Sequence, residues 1–223
     1  MTQNPQIITI DGPSGVGKGT IASMLAAKLG WHFLDSGALY RITAYAALQK
    51  KIPLDDIPAL CHLAQGLQIQ FKDQKIIFEG QDIQNQIRQE HIGLAASKVG
   101  AHQEVRDALY QLQRSFLKAP GLVADGRDMG TAIFPEAAHK FFLTASATER
   151  ARRRFLQLQA TQTPAKLDEI LHEIETRDER DRTRTASPLK PAIDAIQIDT
   201  SDLSIAQVLQ KALSSLTPTH QVK

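Results

Sequence analysis

The chain has 223 residues, of which 42% are hydrophobic and 22% charged, and a formal net charge of +2. This is an ordinary globular composition, long enough to bury a full core in one domain with an insert. The small net charge excludes a surface built throughout for a large polyanion, but leaves room for a local basic site. A single cysteine, Cys61, excludes an internal disulfide and is expected as a small buried apolar residue in a reducing compartment. Met1 to Gln6 carry no leader pattern, and no apolar run reaches membrane-spanning length. The expectation is a cytoplasmic, monomeric protein with no membrane contact.

Taken in order, Ile7 to Ile10 reads as a short buried strand. Gly12-Pro13-Ser14-Gly15-Val16-Gly17-Lys18-Gly19-Thr20 follows, then a helix from Lys18 to Leu29 closed by Gly30. Strand, glycine-rich loop, lysine and helix together form a cradle for phosphates. The glycines let backbone N–H groups turn inward, the helix start adds free N–H groups, and Lys18 adds a mobile charge. Gly12, Gly17 and Lys18 match G-x-x-x-x-G-K. The next position is Gly19 in place of Ser or Thr, with Thr20 one step later, so a direct hydroxyl–metal bond from position 19 is not available. A dinucleotide fingerprint fails, because Thr20 stands where its third glycine belongs.

Trp31 to Leu34 reads as a second strand and Asp35-Ser36-Gly37 as a turn, with Ser36 capping a helix from Ala38 to Gln49. The resulting β-α-β unit calls for a parallel sheet with a right-handed crossover. Asp35, Ser36 and Arg41 then fall at the carboxyl end of that sheet, where ligands bind. From Ile52 to Gln103 the pattern changes. Pro53 and Pro58 are expected to break helices. Leu67–Phe71 and Lys75–Phe78 alternate around Asp73-Gln74 as a hairpin, and Asp82–Ile87 is a candidate third strand. Leu94–Val99, with Ser97, leads to a helix from Glu104 to Leu117 that carries Arg106.

Leu122 to Asp125 reads as a third buried strand, ending in a carboxylate and followed by Gly126-Arg127-Asp128-Met129-Gly130. A strand-terminal aspartate opposite a phosphate loop helps organise Mg²⁺, often through water. Lys140–Leu143 is a fourth strand. Ser146-Ala147-Thr148-Glu149 is a capping box for a helix bearing Arg150, Arg152, Arg153 and Arg154. A helix from Ala165 to Arg184 ends in Arg177-Asp178-Glu179-Arg180-Asp181-Arg182-Thr183-Arg184, with Arg177, Asp181 and Arg184 spaced for one face. Alternating charge of this kind is also what a solvated helix surface carries. Ala195–Ile198 is a fifth strand. A closing amphipathic helix runs from Ser204 to Leu216, with Ile205, Val208, Leu209, Ala212, Leu213 and Leu216 on its apolar side, and the tail from Thr217 is expected to fray. No His or Cys cluster has metal-ligand spacing, and no nucleophile triad is recognisable.

The four charged and glycine-rich motifs, in their order and spacing along essentially the whole chain, resemble the bacterial cytidylate kinases, a branch of the P-loop nucleoside-monophosphate kinases. The resemblance implies an α/β fold with a P-loop kinase-type parallel sheet flanked by helices. It also implies an antiparallel monophosphate-binding insert at 52–103 and a short lid at 150–166, all within one domain over 1–223. It implies transfer of the terminal phosphate of ATP to CMP or dCMP, with Mg²⁺ bound alongside ATP largely through water and phosphates and no metal ligand set of the protein's own. Gly12 to Thr20, Arg150 and Arg154 are then expected at ATP. Ser36, Arg41, Ser97, Arg106, Arg127, Asp128, Arg177, Asp181 and Arg184 are expected at CMP, with Ser97, Arg106 and Asp128 on the cytosine. Lys18, Asp125, Arg127 and Arg184 are the expected catalytic set. A kinase for UMP or AMP on the same scaffold is the first alternative. A nucleotide-dependent RNA binder using the arginine-rich helices is the second, although no aromatic interleaving supports it.

Overall fold

The computed structural model describes residues 5–72, 75–160 and 162–216. The turn expected at Asp73-Gln74, Thr161 of the expected 161–164 loop, and the tail from Thr217 lie outside the described residues. The chain divides into two compact units, one comprising residues 1–35 and 114–223 and the other residues 36–113.

In chain order the first unit opens with β1 (Gln6–Asp11), α1 (Lys18–Leu29) and β2 (His32–Asp35). The second unit follows with α2 (Ser36–Gln49), α3 (Ile57–Gln65), β3 (Ile69–Lys72), β4 (Lys75–Phe78), β5 (Gln81–Asp82), α4 (Gln84–Ile87), α5 (Glu90–Val99) and α6 (Gln103–Arg114). The first unit resumes with β6 (Gly121–Gly126), a π-helical turn (Met129–Ile133), β7 (His139–Thr144), α7 (Ala147–Ala160), α8 (Leu167–Thr183), β8 (Ile196–Asp199) and α9 (Ile205–Ser214).

The first unit is built on a five-stranded parallel sheet in the order β2-β6-β1-β7-β8. Successive side chains on a strand point to opposite faces, and this alternation sorts the residues that matter. Ile8 and Ile10 of β1, Val123 of β6 and Phe141 and Leu143 of β7 share one apolar cluster with Ile21, Leu25 and Leu29 of α1 and Val208 and Ala212 of α9. Asp125, two residues beyond Val123, therefore projects toward the α1 side. Thr9 and Asp11 fall on the other face, where the π-helical turn packs. Aligned carboxyl ends bring Asp35 into register with Asp125, and Asp11 with Gly126.

The second unit packs Ala38, Ile42 and Ala46 of α2 against Ile76, Phe78, Ile83, Ile87 and Ile92. Its antiparallel sheet runs β3-β4-β5, with Ile69 opposite Phe78 and Lys72 opposite Lys75. Of the expected third strand at 82–87 only Asp82 is extended, in the two-residue β5, and the chain then turns helical at Gln84. Pro58 opens a helix rather than breaking one. It sits in the first turn of α3, where a missing N–H costs nothing, and the Asp56 side chain caps that turn by accepting from Ala59 N. Cys61, on that helix, is partly exposed rather than buried.

Other local expectations are corrected by how side chains are used. Ser36 does not cap α2. The helix starts at Ser36 itself, directly after β2, and its hydroxyl donates to Gln113 Oε1 at 2.7 Å. Ser146 accepts from Glu149 N at 3.2 Å, but the Glu149 carboxylate is held by Arg152 and Arg153 and does not complete the box. A complete capping box stands instead at Ser204 and Gln207. Ile205 is 52% exposed, so the apolar side of α9 begins at Val208. No helix among the described residues is long and apolar enough to cross a membrane.

Leu25 is fully buried between α1 and the sheet. Truncation at such a site removes about 2–5 kcal/mol through lost burial and the cavity left behind. Leu25→Ala is therefore expected to lower the unfolding free energy by that much, read as a lower urea midpoint at unchanged m-value; a loss under 1 kcal/mol counts against the sheet–helix core described here.

Candidate active site

The loop between β1 and α1 turns at Gly12, whose φ is +147°, and a Cβ there would stand 2.2 Å from Leu143 O. No other residue fits so close to the β7 backbone. From this turn the chain runs to Gly17 and enters α1 at Lys18, leaving the first amides of the helix at the loop. Lys18 is buried, and its Nζ donates to Pro13 O at 2.8 Å. Burial first, and then the charge of Arg127, push the Lys18 ammonium down to about 7; Arg177 adds to this, while Asp125 and Asp11 oppose it. A buried lysine and two partly buried arginines gathered together have the electrostatics of a polyanion site, because bound phosphate oxygens relieve their mutual repulsion.

Gly19 has a specific neighbour. A Cβ at that position would lie 3.2 Å from Asp125 Oδ2. The carboxylate delivered by β6 thus comes down on the α1 backbone where a serine or threonine side chain would otherwise project. The Asp125 oxygen thus occupies the place near the loop where a hydroxyl at position 19 would project. This donor set suits a hard divalent cation that keeps most of its coordination for phosphates and water. Among the described residues no cluster of three or more His, Cys, Asp or Glu side chains forms a metal cage.

Asp181 of α8 organises the arginines. It is 4% exposed, and it accepts from Arg127 Nε at 3.0 Å, while Arg184 Nη1 lies 3.9 Å from its other oxygen. Burial alone would raise its pKa, but Arg127, Arg177 and Arg184 outweigh that and hold the carboxyl below its ordinary range. Burial likewise opposes the charge on Arg127, and Asp181 and Asp125 more than restore it. Arg184 is not on the helix as its spacing suggests. It leaves α8 as an extended residue, its Nε donates to Ser187 O at 2.9 Å, and only its side chain returns to Asp181. Arg177 and Asp181 do share α8.

Arg150 is 4% exposed and braces the phosphate loop from behind. It donates to Ser14 O at 3.0 Å and forms a two-bond ion pair with Asp178, one bond of 3.1 Å. Arg152 and Arg153 share Glu149, and Arg153 also reaches the Thr200 and Ser201 carbonyls. Arg154 is half-buried on the same helix. Asp128, 3% exposed, precedes the π-helical turn.

Within the second unit, Arg41 donates to Ile87 O at 2.8 Å and passes close to Gly93, where a Cβ would meet its Nη2 at 2.8 Å. Arg106 is buried on α6, donates to Gly100 O at 2.9 Å and lies 5.4 Å over the Tyr40 ring. Ser97 is buried on α5, and Ser36 is fixed by the buried Gln113.

Comparison with known proteins decides the family. A family model described as cytidylate kinase matches residues 8–217. The chain belongs to the cytidylate kinase family. A cytidylate kinase of Stutzerimonas stutzeri (strain A1501) is 56% identical over 216 residues, covering 94% of both chains. One of Pseudomonas entomophila (strain L48) is 54% identical over 222 residues, covering 97% of both, and one of Pseudomonas syringae pv. tomato is 56% identical over 216 residues, covering 94% of both.

For this cytidylate kinase family member the first unit brings together Lys18, Asp125, Arg127, Arg177, Asp181 and Arg184, and sets Arg150 against the loop. Four supporting residues were missed by sequence reasoning: Asp11, Gln113, Asp178 and Gly93. Asp11 was within reach, since it ends a buried strand in a carboxylate just as Asp125 does. Gln113 sits among ordinary helical polar residues and carries no such signal, whereas Asp178 lies within the charged 177–184 run but was given no role there.

A phosphate chain bound beside Lys18 raises its pKa from about 7. The complex then holds more protons than the free protein above pH 7, so binding takes up protons and weakens as pH rises. Titration with tripolyphosphate at pH 8, in buffers of different ionisation enthalpy, is expected to show proton uptake that Lys18→Arg abolishes. Buffer-independent heats contradict this.

Proposed function

We propose that this chain transfers the terminal phosphate of ATP to CMP or dCMP, giving ADP and CDP or dCDP. The observation that carries the reading is the Asp181-anchored arginine cluster lying in the same buried field as Lys18. It offers more fixed cation than a single nucleotide requires, as expected where two phosphorylated substrates react. The family membership supports the same activity.

Phosphoryl transfer asks for positioning and charge neutralisation more than for covalent work by the protein. The loop amides from Gly12 to Thr20 and Lys18 hold the outer phosphates of ATP. Arg150 steadies that loop through Ser14 O, and Arg154 belongs with it in a lid spanning 150–166. Arg127 and Arg184, each already oriented by Asp181, clamp the acceptor phosphate together with Arg41 and Arg177. Guanidinium forks suit this because they engage two oxygens at once. No general base is needed when the attacking oxygen belongs to a phosphate that is already ionised. Ser97, Arg106 and Asp128 read the cytosine, and Ser36 and Asp181 help seat the nucleotide. The insert spanning 52–103 belongs to this acceptor-binding function. A carboxylate at Asp128 accepts from the exocyclic amine of cytosine and repels the carbonyl of uracil, a contrast that discriminates strongly when buried.

Kinases of this kind work with a nucleotide-associated metal, typically Mg²⁺, which supplies neutralisation of charge between the phosphates. Asp125, beside Gly19, is the residue that would hold it, mostly through water. We take a monomer as the working unit.

A coupled ADP-release assay with CMP, dCMP, UMP, AMP and GMP tests the reading. Turnover is expected with CMP and dCMP well above the others. Faster turnover with UMP or AMP assigns a different monophosphate, and no turnover with any acceptor alongside tight RNA binding overturns the enzyme reading. Lys18→Ala is expected to lower kcat by about 10²-fold or more with every acceptor; retained activity refutes its role at the phosphates.

A further inference from the structure

Ser187 belongs to no motif assigned above, yet it holds a backbone conformation that side chains disfavour. Its φ is +45°, in the left-handed region that glycine adopts readily and other residues rarely do. It also precedes Pro188, and the ring of a proline pushes the residue before it toward extended backbone. Two steric preferences are set aside at one position. Strain of this kind persists only where the surrounding structure enforces it, and it gathers at functional sites.

The segment around Ser187 is held at several points. The chain leaves α8 at the extended Arg184 and comes straight back, so that Leu189 N donates to Asp181 O at 2.7 Å. Ala186, just before Ser187, is buried. Further along, Asp194 accepts from the buried Lys140 Nζ at 3.0 and 2.9 Å, one bond to each oxygen, which ties the far end of the segment to β7. What the strained turn delivers is a carbonyl. Ser187 O accepts from Arg184 Nε at 2.9 Å, while Arg184 Nη1 lies 3.9 Å from Asp181 Oδ1. A guanidinium is planar, so a bond at Nε fixes its plane and with it the direction of the Nη donors. Those donors form the fork that engages two phosphate oxygens at once. An extended backbone at Ser187 would carry the carbonyl elsewhere and leave Asp181, at 3.9 Å, as a looser guide.

We infer that Ser187 is a positioning residue for phosphoryl transfer: its left-handed backbone aims a carbonyl at Arg184 Nε and so orients the guanidinium that clamps the acceptor phosphate. The inference rests on the proposed reading of Arg184 at that phosphate. The bond uses the backbone oxygen, so the role of Ser187 depends on its φ and not on its hydroxyl.

The test compares kcat/KM for CMP, and KM for ATP, in the wild type, Ser187→Ala, Ser187→Gly, Ser187→Val, Arg184→Lys and the double variant Ser187→Val with Arg184→Lys. Alanine lacks only the hydroxyl, and glycine takes a positive φ without strain. Both are expected to keep kcat/KM for CMP within about threefold of the wild type. Valine, β-branched, resists the left-handed region. It is expected to lower kcat/KM for CMP about tenfold or more, with KM for ATP moving less than about threefold. Lysine has no guanidinium plane to fix, so Arg184→Lys is expected to lose at least as much, and adding Ser187→Val to it is expected to cost nothing further. A merely structural role would raise KM for ATP alongside the loss with CMP, and that result overturns the inference. So do an additive double variant, a valine variant that behaves as the wild type, and an alanine or glycine variant as impaired as valine. If Arg184→Lys itself leaves kcat/KM for CMP unchanged, the reading of Arg184 fails; if it lowers that value and Ser187→Val does not, only the role of Ser187 fails. A Ser187→Val chain that does not fold leaves the wild type to decide. Its Arg184 Nε proton, assigned by its loss in Arg184→Lys, is expected to exchange slowly with water in the nucleotide-free protein, and rapid exchange overturns the inference.

Discussion

Everything in the first unit depends on holding the buried Lys18 close to the partly buried Arg127 and Arg177. Their mutual repulsion and desolvation work against the fold, as the lowered pKa of Lys18 records. The fold offsets this with carboxylates placed by secondary structure. Asp125 arrives on β6, facing α1, and Asp181 arrives on α8 between two arginines. The carboxylates hold the cations without neutralising all of their donors. Arg127 gives its Nε to Asp181 and one Nη1 bond to Gly126 O, an arrangement that fixes the guanidinium plane before any substrate is bound. Electrostatic catalysis draws its advantage from preorganisation of this kind, since little reorientation remains to be done during the reaction.

The same economy appears in the backbone. Gly19 is glycine because the Asp125 carboxylate stands beside it, so the loop's departure from the commoner Ser or Thr and the presence of Asp125 are two sides of one arrangement. Gly12 is glycine because β7 passes within contact distance. Arg150, first of the arginines on its helix, is buried and tied to Ser14 and Asp178. The strand alternation that sends Asp125 to one face and Asp11 to the other lets one sheet edge serve both the phosphate loop and the segment around Asp128.

Much of this was legible in the sequence, for physical reasons. Parallel strands buried on both faces read as short apolar runs, and the motif between β1 and α1 cannot be mistaken because strand, glycines, lysine and helix must coincide. The arginine and aspartate positions were legible through resemblance to a family and through their placement after buried strands. What the sequence left unread was the use of side chains at element ends. Ser36 had the chemistry of a cap but was claimed by Gln113, 77 positions away. Glu149 was claimed by arginines, and Pro58 opened a helix because Asp56 supplied the cap. Arg184 left its helix, which spacing along a helix cannot foresee. These outcomes turn on competition between a local partner and a distant one, and only the folded chain decides it.

The central claim is that the cation cluster is costly to the free protein and is kept because of what it binds. Urea unfolding of Lys18→Met against the wild type at pH 6, without nucleotide, tests this most directly. Removing a buried ammonium that Arg127 and Arg177 repel is expected to raise stability by roughly 1 kcal/mol or more. Saturating ATP is then expected to stabilise the wild type and not the variant. A nucleotide-free variant less stable than the wild type by more than about 1 kcal/mol would contradict the account, because Lys18 would then be a structural residue and not a held charge.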